Sequence, residues 1–383
     1  VMAFAPTRSG KGVGLVVPTL LSWPHSVLVH DIKGENWQLT SGWRSEFSHC
    51  VRFDPTDIAS AHFNPLMEVR RGLNEARDVQ NIVDILVDPR GVVEEPGHWV
   101  DKAKSLLTGA ILHVLYAEPE KTLARVGTFL ADPDRTFRTT IEIMKRTNHL
   151  GTNEAPRVHP IVATKAREMS NQTENELSGV LSTALRFLAL YADPVIAEVT
   201  SRSDFRIDDL VSGDRPLSLY LVVPPSDLSR TKPLMRLILN QVGRRLTEHL
   251  DVSPFKVSRS KSLVANILGA CGLLAPLVSV AAPKSRRRVL FMLDEFPALG
   301  KLDFFESALA YMAGYGLKAF LIAQSLNQIE KAYGPSNAIL DNCHVRVAFA
   351  TNDERTAKRI SDALGTKTEQ RAMKNYAGHR LAP

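Results

Sequence analysis

The chain has 383 residues, 44% hydrophobic and 23% charged, an ordinary globular composition with enough material for two domains. Its net charge of +6 permits nucleic-acid contact without demanding it. Cys50, Cys271 and Cys343 stand apart with no C-x-x-C. That argues against a disulfide framework or a zinc site and points to a reducing cytoplasm.

The chain starts without Met, inside an apolar run, and is read as a fragment, so any leader or anchor lies outside the question. Val1-Met-Ala-Phe4 is expected to be a core strand. It leads into Ala5-Pro-Thr-Arg-Ser-Gly-Lys-Gly-Val-Gly14, the layout of a phosphate-binding P-loop. Backbone N–H groups of Thr7, Arg8, Ser9, Gly10, Lys11, Gly12 and Val13 would cradle phosphate oxygens, with Lys11 reaching the β- and γ-phosphates. Two of four fixed positions depart from G-x-x-x-x-G-K-[ST]: Ala5 replaces the first Gly, and Gly12 has no hydroxyl for Mg²⁺. The competing reading is a Gly-rich turn with a solvated lysine. Pro18 is expected to kink or end the helix that follows.

Val27-Leu-Val-His-Asp31 reads as a short strand entering Ile32-Lys-Gly-Glu35, and Val51–Asp54 with Phe63–Leu66 as a further strand and turn. From about 73 to 205 the period becomes helical. Val100, Ala103, Leu106, Leu107, Ala110, Ile111, Val114 and Leu115 form one stripe. Leu177, Val180, Leu181, Ala184, Leu188 and Tyr191 form another, preceded by a Thr173/Glu176 capping box. The stripes read as core packing within an all-helical insertion.

The α/β pattern then returns with a Leu217–Val223 strand and a helix near 232–249. Residues 263–283 are uncharged, long enough for a membrane span. A single crossing there would separate Lys11 from Asp294, so the stretch is read as a buried hairpin, an irregular insertion or a foreign segment. Val289–Leu293 is an apolar parallel-sheet strand ending in Asp294 and Glu295. Asp294 would hold Mg²⁺, and Glu295 would polarise the attacking water. The strand Lys318–Ala323 ends at Gln324, an amide able to sense the γ-phosphate. His344–Ala350 is expected to be one more strand. Ligands of open α/β sheets bind at the carboxyl ends of strands, so these motifs point into one crevice. The helix N-cap is the competing role for Asp294-Glu295. The eleven His show no tight ligand spacing, and there is no H-E-x-x-H or G-x-S-x-G.

Pro6–Gly14, Asp31-Ile-Lys-Gly-Glu35, Phe63-Asn-Pro-Leu66, Leu293–Gly300, Gly314–Ser325 and Asn375-Tyr-Ala-Gly-His-Arg380 together resemble the TraG-like coupling proteins of type IV secretion and conjugation. The resemblance covers most of 1–72 and 205–383. It implies an α/β, RecA-like P-loop ATPase with a mostly parallel sheet and an inserted all-α domain. The parts would be 1–72 (first nucleotide-binding part), 73–205 (helical) and 206–383 (second part), with an atypical apolar insertion at about 252–285. It implies ATP and Mg²⁺ as cofactors, with Lys11 on the phosphates, Asp294 on Mg²⁺, Glu295 as catalytic carboxylate and Gln324 as sensor. It further implies a homo-hexamer at the bacterial inner membrane, anchored by a segment upstream of Val1 with this region in the cytoplasm. Its partners would be a relaxase with single-stranded DNA, or effector proteins, and the secretion-channel proteins. Gly after the P-loop Lys is common in that family. The stretch Tyr311–Lys318 has no Arg where some relatives carry an arginine finger, leaving Arg346 and Arg355 as weak candidates. Two other functions remain open: a recruitment receptor with little turnover, and a soluble DNA-pumping ATPase of the same class. DNA contact is poorly located, Arg286–Arg288 and Lys374, Tyr376, His379 and Arg380 being the basic candidates.

Overall fold

The computed structural model describes residues 1–89, 91, 97–248 and 286–368. Seven strands form one sheet: β1 (Met2–Phe4), β2 (Ser26–Asp31), β3 (His49–Phe53), β4 (Leu217–Val222), β5 (Val289–Leu293), β6 (Leu317–Ala323) and β7 (Arg346–Ala348). Their order is β3-β4-β2-β5-β6-β1-β7, and every pair is parallel. The expected seven-residue strand at 344–350 is only three residues long, because its neighbour among the described strands, β1, offers only Met2–Phe4 for pairing.

Period-two alternation sorts the strand side chains onto two apolar faces. Leu28, Leu219, Leu221, Phe291 and Leu321 join one cluster. Val27, Val29, Tyr220, Met292 and Ile322 join the other. Apolar side chains on both faces require cover on both sides, as parallel sheets do. The second face is covered through Val16 and Leu20 of the helix that follows β1.

That helix opens as a π-turn (Gly12–Val16), closed by Val17 N–H on Gly12 O, and continues as α1 (Val17–Ser22). Pro18 therefore falls directly after the π-turn, where the hydrogen-bond register changes from π to α, and the helix continues past it to Ser22. Next comes α2 (Glu35–Ser45). Its Arg44 is fully buried and donates to Leu20 O, Trp23 O, His25 O and Ser218 Oγ. One guanidinium thus caps the end of α1 and pins it to β2 and β4.

Between β3 and β4 lie a 3-10 turn (Pro65–Glu68) and α3 (Glu75–Val87), α4 (His98–Ala117), α5 (Leu123–Leu130), α6 (Phe137–Arg146), α7 (Pro160–Ser170), α8 (Glu174–Leu188), α9 (Pro194–Val199) and α10 (Asp209–Ser212). The Thr173/Glu176 capping box is present at the start of α8. The 100–115 stripe is broader than expected. Every residue from Ser105 to Leu115 is buried, so α4 is the axis around which its neighbours pack rather than a helix with one wet face. Then come α11 (Leu228–Leu246), α12 (Asp303–Ala308), α13 (Leu326–Tyr333) and α14 (Glu354–Leu364). No described helix is long and apolar enough to cross a membrane. The 263–283 stretch lies outside the described residues.

Candidate nucleotide site

Three strand ends meet at one edge of the sheet. Leu293 of β5 pairs with Leu321 of β6, and Ala323 of β6 pairs with Phe4 of β1. The residues just past each strand therefore emerge side by side: Asp294 and Glu295, Gln324, and the loop from Ala5.

That loop turns tightly. Ser9 N–H bonds Pro6 O at 3.2 Å and Gly14 N–H bonds Gly10 O at 2.8 Å. Arg8 and Gly10 hold left-handed conformations, φ 63° and 82°, and Gly pays no steric cost there. Lys11 is already right-handed and caps the helix, so the N–H groups of Gly12 and Val13, at the start of the first turn, precede the intrahelical ladder. Thr7, Arg8, Gly10 and Val13 are exposed, and Ser9, Lys11 and Gly12 are half-buried. Such a concave run of N–H groups at a helix start favours an anion.

The Lys11 ammonium lies 2.7 Å from Asp294 Oδ1 and 2.8 Å from Glu295 Oε1. Gln324 Nε2 donates to both Glu295 carboxylate oxygens, at 3.1 and 3.2 Å. The structure thus brings Lys11, Asp294, Glu295 and Gln324 together. Partial burial pulls the Lys11 pKa down, but the hydrogen bonds and charges of Asp294 and Glu295 outweigh it and the pKa is raised. The ammonium stays charged throughout the physiological range. Asp294 Oδ1 is buried, and among the described residues its close polar contact is the Lys11 ammonium. A hard carboxylate oxygen of this kind fits Mg²⁺.

Two residues at this end of the sheet were given no role in the sequence, although Asp31 opens one of the motifs. His30, on β2, is fully buried, with Nδ1 3.0 Å from the Asp294 carbonyl oxygen; burial lowers its pKa, against the opposing pull of that carbonyl and the two carboxylates. Asp31 is 2% exposed and accepts Trp37 N–H at 2.9 Å. Desolvation raises its pKa, against backbone N–H bonds from Trp37, Lys33 and Gly34. A polar pair closing an otherwise apolar strand was the available signal.

Other candidates fall elsewhere. Arg346 donates to Leu340 O and Arg355 pairs with Glu330 at 2.6 Å, both within this chain. Arg286 bonds Leu246 O, and Arg287 bonds carbonyls at 213–215. Lys374, Tyr376, His379 and Arg380 lie outside the described residues. The histidines are less scattered than their spacing suggested. His113 Nδ1 and His149 Nε2 are 2.9 Å apart, and His159 bonds Glu75 at 2.8 Å, all between helices of the 75–199 segment. Among the described residues no group of three or more His, Cys, Asp or Glu is arranged to hold a metal.

Comparison with known proteins gives the same picture. The family described as type IV secretory system conjugative DNA transfer matches residues 1–257 and 272–381. The conjugal transfer protein TraG of Escherichia coli is 42% identical over 394 aligned residues, covering 100% of this chain and 57% of the relative. VirD4 of Rhizobium rhizogenes is 30% identical over 388, covering 99% and 51%. The chain thus spans a little over half the length of these curated relatives. Among solved structures, the plasmid coupling protein TrwB in complex with ADP and Mg²⁺ aligns with a TM-score of 0.61, at 19% identity, over 95% of this chain and 74% of that one. A sulphate-bound form of TrwB gives a TM-score of 0.62 at the same identity. These neighbours share the RecA-like P-loop fold. The chain belongs to the type IV secretory system conjugative DNA transfer family.

Proposed function

We propose that this chain is the ATP-hydrolysing core of a coupling protein, which brings relaxase-bound single-stranded DNA or effector proteins to a type IV secretion channel. The observation that carries the reading is the Lys11 ammonium held by both Asp294 and Glu295, with Gln324 on Glu295. In this structure the Lys11 ammonium pairs with both carboxylates. With ATP in the loop, the ammonium turns to the β- and γ-phosphates and the backbone N–H groups of residues 7–13 hold phosphate oxygens. Glu295, released from Lys11, accepts the hydrogen bond of the attacking water, and the Gln324 amide fixes its orientation. Mg²⁺, held by Asp294, would neutralise charge on the phosphates. By family likeness the working form is a homo-hexamer at the bacterial inner membrane. Its anchor would lie upstream of Val1 and this region would face the cytoplasm.

Lys11→Ala tests the reading. Assembly should persist, while ATP hydrolysis and DNA transfer are abolished; undiminished transfer would sink it. The missing hydroxyl at Gly12 favours a second reading, a recruitment receptor that binds nucleotide and hardly turns it over. DNA-stimulated turnover near or above about one per second would argue against that alternative.

A further inference from the structure

An extended strand sends successive side chains to opposite faces. Asp294 and Glu295 are adjacent, yet both carboxylates reach one ammonium. The backbone explains it. Glu295 sits at φ 56°, ψ 45°, left-handed, as only one other described non-glycine residue, Arg8, does at positive φ. That conformation is strained for a residue with a side chain and persists only where its surroundings enforce it. Lys11 and Gln324 hold the far end of the Glu295 side chain. The peptide joining Asp294 to Glu295, whose orientation sets the turn, needs its own anchor.

The neighbouring strand supplies one. Pairing of His30 with Leu293 brings the imidazole beside that peptide, and Nδ1 lies 3.0 Å from the Asp294 carbonyl oxygen. A carbonyl only accepts, so Nδ1 carries the hydrogen. Nε2 is left as a buried acceptor with no partner among the described residues. Packing does not account for the ring: Val27, Leu28 and Val29 before it are apolar and fully buried, and an orphaned nitrogen among them is unfavourable. We infer that His30 is a positioning residue, whose Nδ1–H fixes the Asp294 carbonyl and so the left-handed turn that aims Glu295 at the nucleotide site. The inference rests on the hydrolytic reading above and assigns its β2 partner.

The test uses the full-length protein and three substitutions. In His30→Asn the side-chain amide offers an N–H where the imidazole has Nδ1. In His30→Leu volume remains but the donor is gone. In His30→Gln the N–H sits one bond too far. Turnover and binding of a fluorescent non-hydrolysable ATP analogue are measured for each. The Asn variant should keep kcat within about threefold, while Leu and Gln lose about tenfold or more, with analogue Kd unchanged within about twofold. If Leu fails to fold, the Asn and Gln pair decides. Wild-type kcat in Leu or Gln, equal loss in Asn and Gln, or a parallel loss of analogue binding would overturn the role of His30. A wild type that binds nucleotide without hydrolysing it would overturn the hydrolytic reading itself, and this role with it.

Discussion

Gly12 occupies the position where a P-loop ordinarily carries a hydroxyl that ligates Mg²⁺. The backbone there does not demand glycine. Its φ lies outside the left-handed region, and a Cβ would meet nothing within 4 Å. The absence of a hydroxyl is therefore a chemical choice and not a steric one, and under the proposed function it would shift the metal's dependence onto Asp294. Gly12→Ser should accordingly fold without penalty. It should lower the Mg²⁺ concentration for half-maximal hydrolysis by about three- to tenfold, the effect of one added polar ligand worth about 1 kcal/mol. A Mg²⁺ titration at fixed ATP reads this directly. An unchanged titration would mean that water already fills the hydroxyl's place at no cost.

Among the elements, α4 shows how burial converts a helical stripe into a pH liability. His113 lies on the α4 face that the stripe left out, yet it is buried. Its ring stacks on Phe129, with centroids 4.4 Å apart, faces His149, and lies 3.6 Å from Glu118. Desolvation, then the neighbouring His149, push its pKa down to about 4, with Glu118 opposing. Desolvation, then His159, do the same to His149, also to about 4. The ordinary value is 6.5. Between those limits the unfolded chain binds protons that the native chain refuses, so stability falls as pH falls from 6.5 towards 4. The slope is up to about 1.4 kcal/mol per pH unit for each histidine. Urea midpoints at neutral and mildly acidic pH should show this loss, and His149→Gln should flatten it; parallel curves for variant and wild type would locate the acid sensitivity elsewhere.

The same elements show what a sequence can carry. β1 and β5 were readable because a buried parallel strand is an unbroken apolar run, and β6 because only Lys318 interrupts one; the polar residues beyond them, Lys11, Asp294 and Gln324, mark the candidate site. The left-handed turn at Glu295 was not, since no glycine announces it. The bond from His30 to Asp294 was not either, because it depends on β2 lying beside β5 across 264 residues of chain. The all-round burial of α4 depends on its neighbours α3, α5, α7 and α8, which no window along α4 contains.

Across the whole molecule, the helical segment and the sheet share one apolar cluster. Leu106 and Ile111 of α4, Val79 and Ile82 of α3, Leu234 and Leu237 of α11, and Phe291 of β5 all belong to it. The two crossings of the chain are laced together as well: Phe63 N–H bonds Val199 O at 2.9 Å, Asp204 N–H bonds His62 O at 3.0 Å, and the Asn64 amide bonds Lys121 O and Ser201 O. A core continuous in this way predicts that the two parts melt as one cooperative unit. Two tryptophans report on them separately. Trp37 packs edge-on against Tyr220 at 5.2 Å on the second face of the sheet. Trp99 of α4 lies over Gly179 of α8, where a Cβ would come within 2.7 Å of the ring. Variants retaining only one of these should give coincident urea transitions with the same midpoint and slope. Ile111→Ala, a cavity worth about 2–5 kcal/mol, should lower both together. Nucleotide at a hundredfold excess over its Kd should raise both by about 2.7 kcal/mol, although only Trp37 shares a sheet face with the P-loop helix. Separate transitions, or a nucleotide effect confined to Trp37, would mean that the shared cluster is a docked interface between independently folding parts. Motion of the helical segment during turnover would then cost far less than the continuous core implies.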